Sequence, residues 1–153
     1  MGRIISIVNQ KGGVGKTTTA INLAAAVGNK GKRCLLVDLD PQGNATSGVG
    51  VDKRQVRLST YELLIGEAGF ADVRLSTGFR GLDVLPCSIR LAGAEVELVE
   101  MDRRKNRLLA ALAPAREEYD YLFIDCPPSL GLLTLNALCA SDTVLVPIQP
   151  EYF

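Results

Sequence analysis

The sequence predicts an α/β protein with a mostly parallel sheet and helices on both faces. Short runs rich in Val, Ile and Leu recur along the chain, and they are continuous rather than alternating, as in strands that are buried on both faces. Helix-compatible segments separate these runs, and alternating strands and helices favour parallel pairing through right-handed crossovers. The predicted strands cover residues 3–9, 33–40, 82–87, 121–127 and 143–148.

The clearest predicted helix covers residues 16–29, and Gly31 is placed to end it. Two helices are predicted within residues 90–117, and a further helix over residues 132–139. The Gly-rich, polar stretch 43–55 predicts a loop.

A short helix is expected just after that stretch, where Ser59 or Thr60 is a suitable N-cap.

Composition limits the possible functions. With 153 residues, 47% of them hydrophobic, the chain is expected to form a single domain over residues 1–153. Seventeen Lys and Arg balance seventeen Asp and Glu, so the chain has no net charge that would attract nucleic acid or anionic lipid. The chain has no histidine, which excludes Ser/His triads and His-based zinc sites.

The four cysteines are far apart in the sequence and are expected to be buried, reduced thiols: Cys34, Cys87, Cys126 and Cys139. Neither a signal peptide nor an apolar run of membrane-spanning length is evident, so a cytoplasmic location is expected. The last predicted strand has no closing helix after it, so the chain is expected to be truncated.

A glycine-rich turn joins the first predicted strand to the first predicted helix. Its sequence, KGGVGKTT over residues 11–18, predicts a phosphate-binding loop, because backbone N–H groups at a helix N-terminus bind anions. Lys16 is expected to bind the outer phosphates, the Thr17 hydroxyl to ligate Mg²⁺, and Thr18 to lie on the α-phosphate side. The predicted nucleotide-binding set is Lys11, Gly12, Gly13, Val14, Gly15, Lys16, Thr17 and Thr18.

Acidic residues end two further predicted strands. Asp38 and Asp40 end the second strand and are two residues apart, so they are expected to face one side of an extended segment. Asp125 follows four apolar or aromatic residues, as in a Walker B strand, and is expected to hold Mg²⁺ through water. Carboxyl ends of parallel strands line the ligand crevice of such sheets. The predicted metal-binding set is Thr17, Asp40 and Asp125.

The loop departs from the regular Walker A pattern, because Gln10 stands where that pattern requires a glycine. KGGVGKTT instead resembles the deviant Walker A box of the ParA/MinD group of P-loop ATPases. DPQGN (40–44) and CPPSLG (126–131) are similar to ParA/Soj partition ATPases in particular. The nearest match to the guanine-reading N-K-x-D motif has Lys32 in place of the acid, which favours ATP.

This resemblance implies roles that spacing alone does not give. Lys11 would reach the nucleotide of a second subunit, Asp40 would position the attacking water, and Asp38 would support the loop. The expected catalytic residues are therefore Lys11, Lys16 and Asp40. The family further implies a cytoplasmic, nucleoid-associated Mg²⁺-ATPase that dimerises around ATP. It would bind non-specific DNA and be reset by a ParB-type partner.

Three alternatives stay open from the sequence: a MinD-like membrane-associated regulator, a metabolic P-loop enzyme and a nucleotide-binding scaffold without catalysis. The basic segment 101–107 is predicted to be a solvated, mixed-charge helix face rather than a DNA site, because four acidic residues closely precede or join it.

Overall fold

The computed structural model describes residues 1–8 and 15–148, which contain a six-stranded sheet. The strand order is β3-β4-β2-β5-β1-β6, and every neighbouring pair is parallel except β3 with β4. This arrangement confirms the predicted mostly parallel α/β fold. The strands are β1 Arg3–Ile7, β2 Cys34–Asp38, β3 Leu75–Ser76, β4 Leu82–Leu85, β5 Tyr121–Asp125 and β6 Thr143–Leu145.

In the described part of the chain, seven α-helices connect and cover these strands, and short 3₁₀ turns occur at Lys53–Gln55, Ile89–Gly93 and Ala115–Glu117. The helices are α1 Lys16–Asn29, α2 Asn44–Gly48, α3 Thr60–Ile65, α4 Phe70–Val73, α5 Ala94–Val99, α6 Arg107–Leu112 and α7 Leu132–Ala140.

The predicted helix boundaries are largely confirmed. α1 ends at Asn29, and Gly31 has a φ of 91°, in the left-handed region that favours glycine. α3 begins after Ser59, whose side chain accepts from Tyr61 N–H while Glu62 bonds back to the Ser59 N–H.

Two local predictions are wrong. Residues 43–55 are not one loop, because α2 lies within them, entered through Gly43 at a φ of 70°. The basic segment is not a helix face either, since residues 101–106 form turns, of which residues 102–106 are exposed, and helical structure resumes only at Arg107.

Alternate residues of each central strand pack into different core layers. Leu35 and Val37 of β2 belong to the larger cluster, with residues of α3, α5, α6 and α7, whereas Leu36 lies in the cluster around α1 and α2. In β5, Ile124 belongs to the larger cluster and Phe123 to the cluster around α1 and α2. Each of these five strand residues is at most 1% exposed. Both faces are therefore apolar, which explains why the strand sequences do not alternate.

Three of the four cysteines follow the prediction of buried thiols, and the prediction for Cys139 is wrong. Cys34, Cys87 and Cys126 are fully buried, but Cys139 is exposed on α7. Burial raises the pKa of the Cys87 and Cys126 thiols to about 12, so both stay protonated at neutral pH.

Within residues 1–8 and 15–148, no helix has the length and apolar character needed to cross a bilayer.

Candidate functional site

Three neighbouring strands bring the predicted site residues to one edge of the sheet. β5 lies between β1 and β2, and Asp125 pairs in register with Ile7 on one side and Asp38 on the other. All three strands are parallel, so their carboxyl ends coincide. The start of α1 lies at this edge, because Lys16 contacts Asp125 there.

Gly15 precedes α1 as its N-cap, with a φ of 72° and a ψ of 5°. This left-handed backbone favours glycine, and Gly15 has no side chain to occupy the helix N-terminus. The first turn also contains no acidic residue. The first N–H groups of the helix, together with its dipole, therefore suit an anion.

Lys16 is buried at the centre of the site. Only 6% of the residue is exposed, and its Nζ forms a close ion pair with Asp125 Oδ1. The same Nζ lies 3.6 Å from Asp40 Oδ2 and 3.4 Å from Thr17 Oγ1. A buried ammonium held by carboxylates carries a positive charge that an incoming phosphate can also satisfy.

Asp125 is fully buried at the end of β5 and contacts both functional residues of the first helical turn. Besides the Lys16 ion pair, its Oδ2 accepts a hydrogen bond of 3.0 Å from the Thr17 hydroxyl. Burial raises the pKa of Asp125, while the Lys16 charge opposes that rise.

Asp38 and Asp40 occupy different surroundings. β2 ends at Asp38, and Asp40 lies two residues beyond the hydrogen-bonded strand, just before the turn at residues 41–42. Asp38 has no exposed surface, and its carboxylate accepts from the Asp40 N–H at 3.2 Å and from both the N–H and the hydroxyl of Thr46. Asp40 is 5% exposed, and its Oδ1 accepts from the Gln42 N–H.

Burial raises the pKa of Asp38 to about 7, and the nearby Asp125 adds to the rise, while hydrogen bonds from Thr46 and Asp40 oppose it.

The oxygen atoms at this edge suit a hard cation such as Mg²⁺. Asp40, Asp125 and the Thr17 hydroxyl supply them, all within contact of Lys16. The described part of the chain contains no cluster of three or more His, Cys, Asp or Glu residues that could hold a metal ion. Mg²⁺ is typically bound by one or two carboxylates together with phosphates and water.

The structure brings together Gly15, Lys16, Thr17, Asp40 and Asp125 from the predicted set, and Thr18 is exposed in the first turn of α1. The predicted residues Lys11, Gly12, Gly13 and Val14 lie outside the described residues.

Sequence reasoning missed two buried threonines at this edge. Thr46 contacts the Asp38 carboxylate, and the Thr60 hydroxyl donates to the Asp38 carbonyl at 2.9 Å. The sequence signal was weak, since Thr46 fell in a stretch that we predicted to be a loop and Thr60 was considered only as a helix cap.

These features define the class of protein. A buried strand leads to a helix that begins with a lysine, and an aspartate at the end of a neighbouring parallel strand contacts that lysine. This is the P-loop arrangement of nucleotide-binding proteins.

The chain belongs to the AAA domain family, whose sequence profile matches residues 2–153. It is 56% identical over its whole length to the sporulation initiation inhibitor protein Soj of Bacillus subtilis, covering 60% of that protein. It is also 56% identical to the chromosome partitioning protein ParA of Myxococcus xanthus, covering 54% of it. The predicted resemblance to ParA/Soj proteins is confirmed.

A solved structure matches the fold closely. It is described as cobyrinic acid a,c-diamide synthase from Mycobacterium smegmatis with bound ATP analog and magnesium. It shares 44% sequence identity with a TM-score of 0.96, and the match covers 99% of this chain and 62% of that one. The chain thus spans between a half and two thirds of the length of each of these relatives.

Proposed function

We propose that the full-length protein carrying this chain is a Mg²⁺-dependent ATPase of the ParA/Soj type that acts in chromosome or plasmid partitioning. The observation that carries the proposal is the contact of Lys16 and Thr17 with Asp125 at the start of α1. These are the residue types that P-loop ATPases use for phosphate and Mg²⁺, and they meet at the expected strand ends.

ATP with Mg²⁺ is the proposed ligand. Lys16 and the N–H groups of the first turn of α1 would bind the phosphates, while Thr17, Asp40 and Asp125 would hold the metal ion directly or through water. Bound Mg²⁺ would neutralise charge that develops on the phosphates. The Mycobacterium smegmatis structure, which is described with an ATP analog and magnesium, supports this ligand for the shared fold.

Asp40 is the proposed water-positioning residue. Its Oδ2 is near Lys16, where the outer phosphates would bind, and its Oδ1 is fixed by the Gln42 N–H. A carboxylate held at that place can orient a water molecule toward the terminal phosphate.

The proposed cycle couples ATP to dimerisation. Lys11, which lies outside the described residues, would contact the nucleotide of a second subunit. ATP can favour a dimer only by making contacts that are absent from the monomer, and a Lys11 contact with phosphate across the interface would be such a contact.

The proposed partners are non-specific DNA, bound chiefly by residues beyond this chain, and a ParB-type protein that stimulates hydrolysis. The location would then be cytoplasmic and nucleoid-associated. Support comes from the 56% identity to proteins named for sporulation control and chromosome partitioning.

The central experiment compares Asp40→Ala with wild-type full-length protein. We expect phosphate release to fall about tenfold or more, while ATP still binds and an ATP-bound dimer accumulates, as measured by light scattering. Asp102→Ala, which changes an exposed aspartate, is the control and should behave as wild type. Unchanged phosphate release by Asp40→Ala would contradict the role of Asp40.

A second variant tests the dimer. Lys11→Ala should bind ATP and stay monomeric, and an ATP-dependent dimer of that variant would rule out the cross-subunit role.

A metabolic P-loop enzyme is the main alternative, favoured by the name of the Mycobacterium smegmatis structure. ATPase assays with and without DNA and a ParB-type partner separate the two, because a metabolic enzyme should respond to neither. A scaffold would bind ATP without releasing phosphate. A MinD-like regulator would bind anionic lipid vesicles in the presence of ATP.

A further inference from the structure

Thr46 lies at a junction between the acidic loop of the site and a strand that carries no predicted site residue. It is fully buried in α2, and its side-chain hydroxyl donates to Asp38 Oδ2 at 2.5 Å. The same hydroxyl oxygen accepts from the Cys87 N–H at 3.0 Å, just after β4. One hydroxyl therefore joins the ends of β2 and β4.

Asp38 extends this connection to Asp40. One carboxylate oxygen of Asp38 is held by the N–H and hydroxyl of Thr46, and the other accepts from the Asp40 N–H. Asp38 is completely buried, so water cannot replace a lost partner without a change in structure. The hydroxyl of Thr46 therefore helps to fix the backbone of Asp40 through a single intervening side chain.

Other hydrogen bonds hold the backbone of the same loop. The Thr60 hydroxyl holds the Asp38 carbonyl, and the Leu39 N–H donates to the Asp125 carbonyl at 2.9 Å. Farther along, Lys53 Nζ donates to the Gln42 carbonyl at 2.7 Å. These bonds hold main-chain atoms, whereas the Thr46 bond holds the carboxylate that orients the Asp40 N–H.

We propose that Thr46 is a positioning residue, whose hydroxyl sets the orientation of Asp40 through Asp38. This inference rests on the proposed water-positioning role of Asp40. Thr46 itself contacts neither Lys16 nor Thr17 among the hydrogen bonds of residues 1–8 and 15–148. Loss of its hydroxyl should consequently slow phosphate release much more than it weakens nucleotide binding.

The test compares Thr46→Val with Thr46→Ser in the full-length protein. Valine keeps the side-chain size but removes the hydroxyl. We expect kcat for ATP hydrolysis to fall by about 10- to 100-fold, because a shift of about 1 Å in a reacting group can cost about 100-fold in rate. The dissociation constant for a fluorescent ATP analogue with Mg²⁺ should change less than about threefold, which is under 1 kcal/mol. Thr46→Ser restores the hydroxyl and should recover most of kcat.

Thr77→Val is the matched control for lost stability. The Thr77 hydroxyl donates to the Leu82 carbonyl at 2.7 Å in the β3–β4 hairpin, away from the site. This variant also loses a hydrogen bond from a threonine hydroxyl to the backbone, here a partly buried one, but its kcat should equal that of wild type. If Thr46→Val does not fold, Thr46→Cys keeps a weak donor at the same place and should give a kcat between those of the serine variant and an inactive protein.

The outcomes separate this inference from the proposed function. A wild-type protein that releases no phosphate from ATP would overturn the proposed hydrolysis and the role of Thr46 with it. If wild type is active, equal kcat values for wild type and Thr46→Val would overturn only the positioning role. The positioning role would also be overturned if kcat and nucleotide affinity of Thr46→Val or Thr46→Cys fell by the same factor. A Thr46→Cys variant as active as Thr46→Ser would overturn it as well.

Discussion

Lys16 forms a buried ion pair with Asp125, in which the lysine that would bind phosphate is held by the carboxylate that would hold Mg²⁺. Both side chains are almost fully buried, and Thr17 shares the same carboxylate. Phosphate binding to Lys16 and metal binding to Asp125 would therefore each have to break this ion pair. Phosphate bound to Lys16 would free Asp125 for the metal, and metal bound to Asp125 would free Lys16 for phosphate, so the two binding events are coupled.

The first prediction concerns Lys16. Lys16→Ala should weaken binding of a fluorescent ATP analogue by about 10- to 100-fold, the range for loss of a charged hydrogen bond. Lys30→Ala removes an exposed lysine just after the same helix and should leave binding unchanged. Equilibrium titration gives both values, and tight binding by Lys16→Ala would remove Lys16 from the phosphate site.

The second prediction concerns Asp125. Asp125→Asn removes the carboxylate charge that holds Lys16, so nucleotide binding measured in EDTA should tighten several-fold. The additional affinity that Mg²⁺ provides should shrink in the same variant, because a metal-binding oxygen charge is lost. Asp83→Asn, on β4, is the control. Weaker nucleotide binding by Asp125→Asn in EDTA would show that the ion pair does not restrain Lys16.

The third prediction concerns the pH dependence of stability at Asp38. Its pKa in the fold is raised from an ordinary 3.8 to about 7, so the folded protein binds the proton more tightly than the unfolded chain. The free energy of unfolding should thus decrease as pH rises between these values, by at most about 1.4 kcal/mol per pH unit from this group, and level off above them.

The Asp38→Asn variant has no carboxyl group to titrate at this position. Urea unfolding of wild type and Asp38→Asn at several pH values measures the free energy of unfolding of each. The stability of the asparagine variant relative to wild type should increase between pH 4 and pH 7. A constant difference across that range would show that the pKa of Asp38 is not raised.

The fourth prediction concerns a glycine in the last turn of a helix. Gly28 lies in α1, where replacement by alanine normally adds about 1 kcal/mol of stability. A Cβ at Gly28 would lie 2.6 Å from the Arg80 carbonyl oxygen, so Gly28→Ala should instead destabilise the protein by about 1–3 kcal/mol. Gly93 has helical backbone angles and open space at its Cβ position, so Gly93→Ala should be neutral or stabilising. Urea unfolding distinguishes them, and a stabilising Gly28→Ala would contradict the close approach.

Much of the fold could be predicted because it depends on local patterns. Continuous apolar runs indicated five of the six strands, and the sixth, Leu75–Ser76, is only two residues long and exposed. The α2 helix escaped prediction because its sequence, NATSG, has poor helix propensity. Thr46 within it is held by the Asp38 carboxylate and by the Cys87 N–H, and helix propensity does not report such side-chain contacts.

The candidate site was predicted in part. Lys16, Thr17, Asp40 and Asp125 were identified from motif spacing, and the structure places them in contact. Cys139 was assigned to the core because its neighbours are apolar, but a helix residue is buried only if its own face meets the sheet.

The sequence by itself determined the class of the protein, because a glycine-rich turn between strand and helix, with aspartates ending two later strands, has a specific order and spacing. Only the tertiary structure decided which side chains share a partner. Lys16 and Asp125 are 109 residues apart, and Thr46 and Cys87 are 41 apart. The physical reason is that burial excludes water, so each polar group must find its partner within the fold, and strand order rather than chain order decides which groups are near enough.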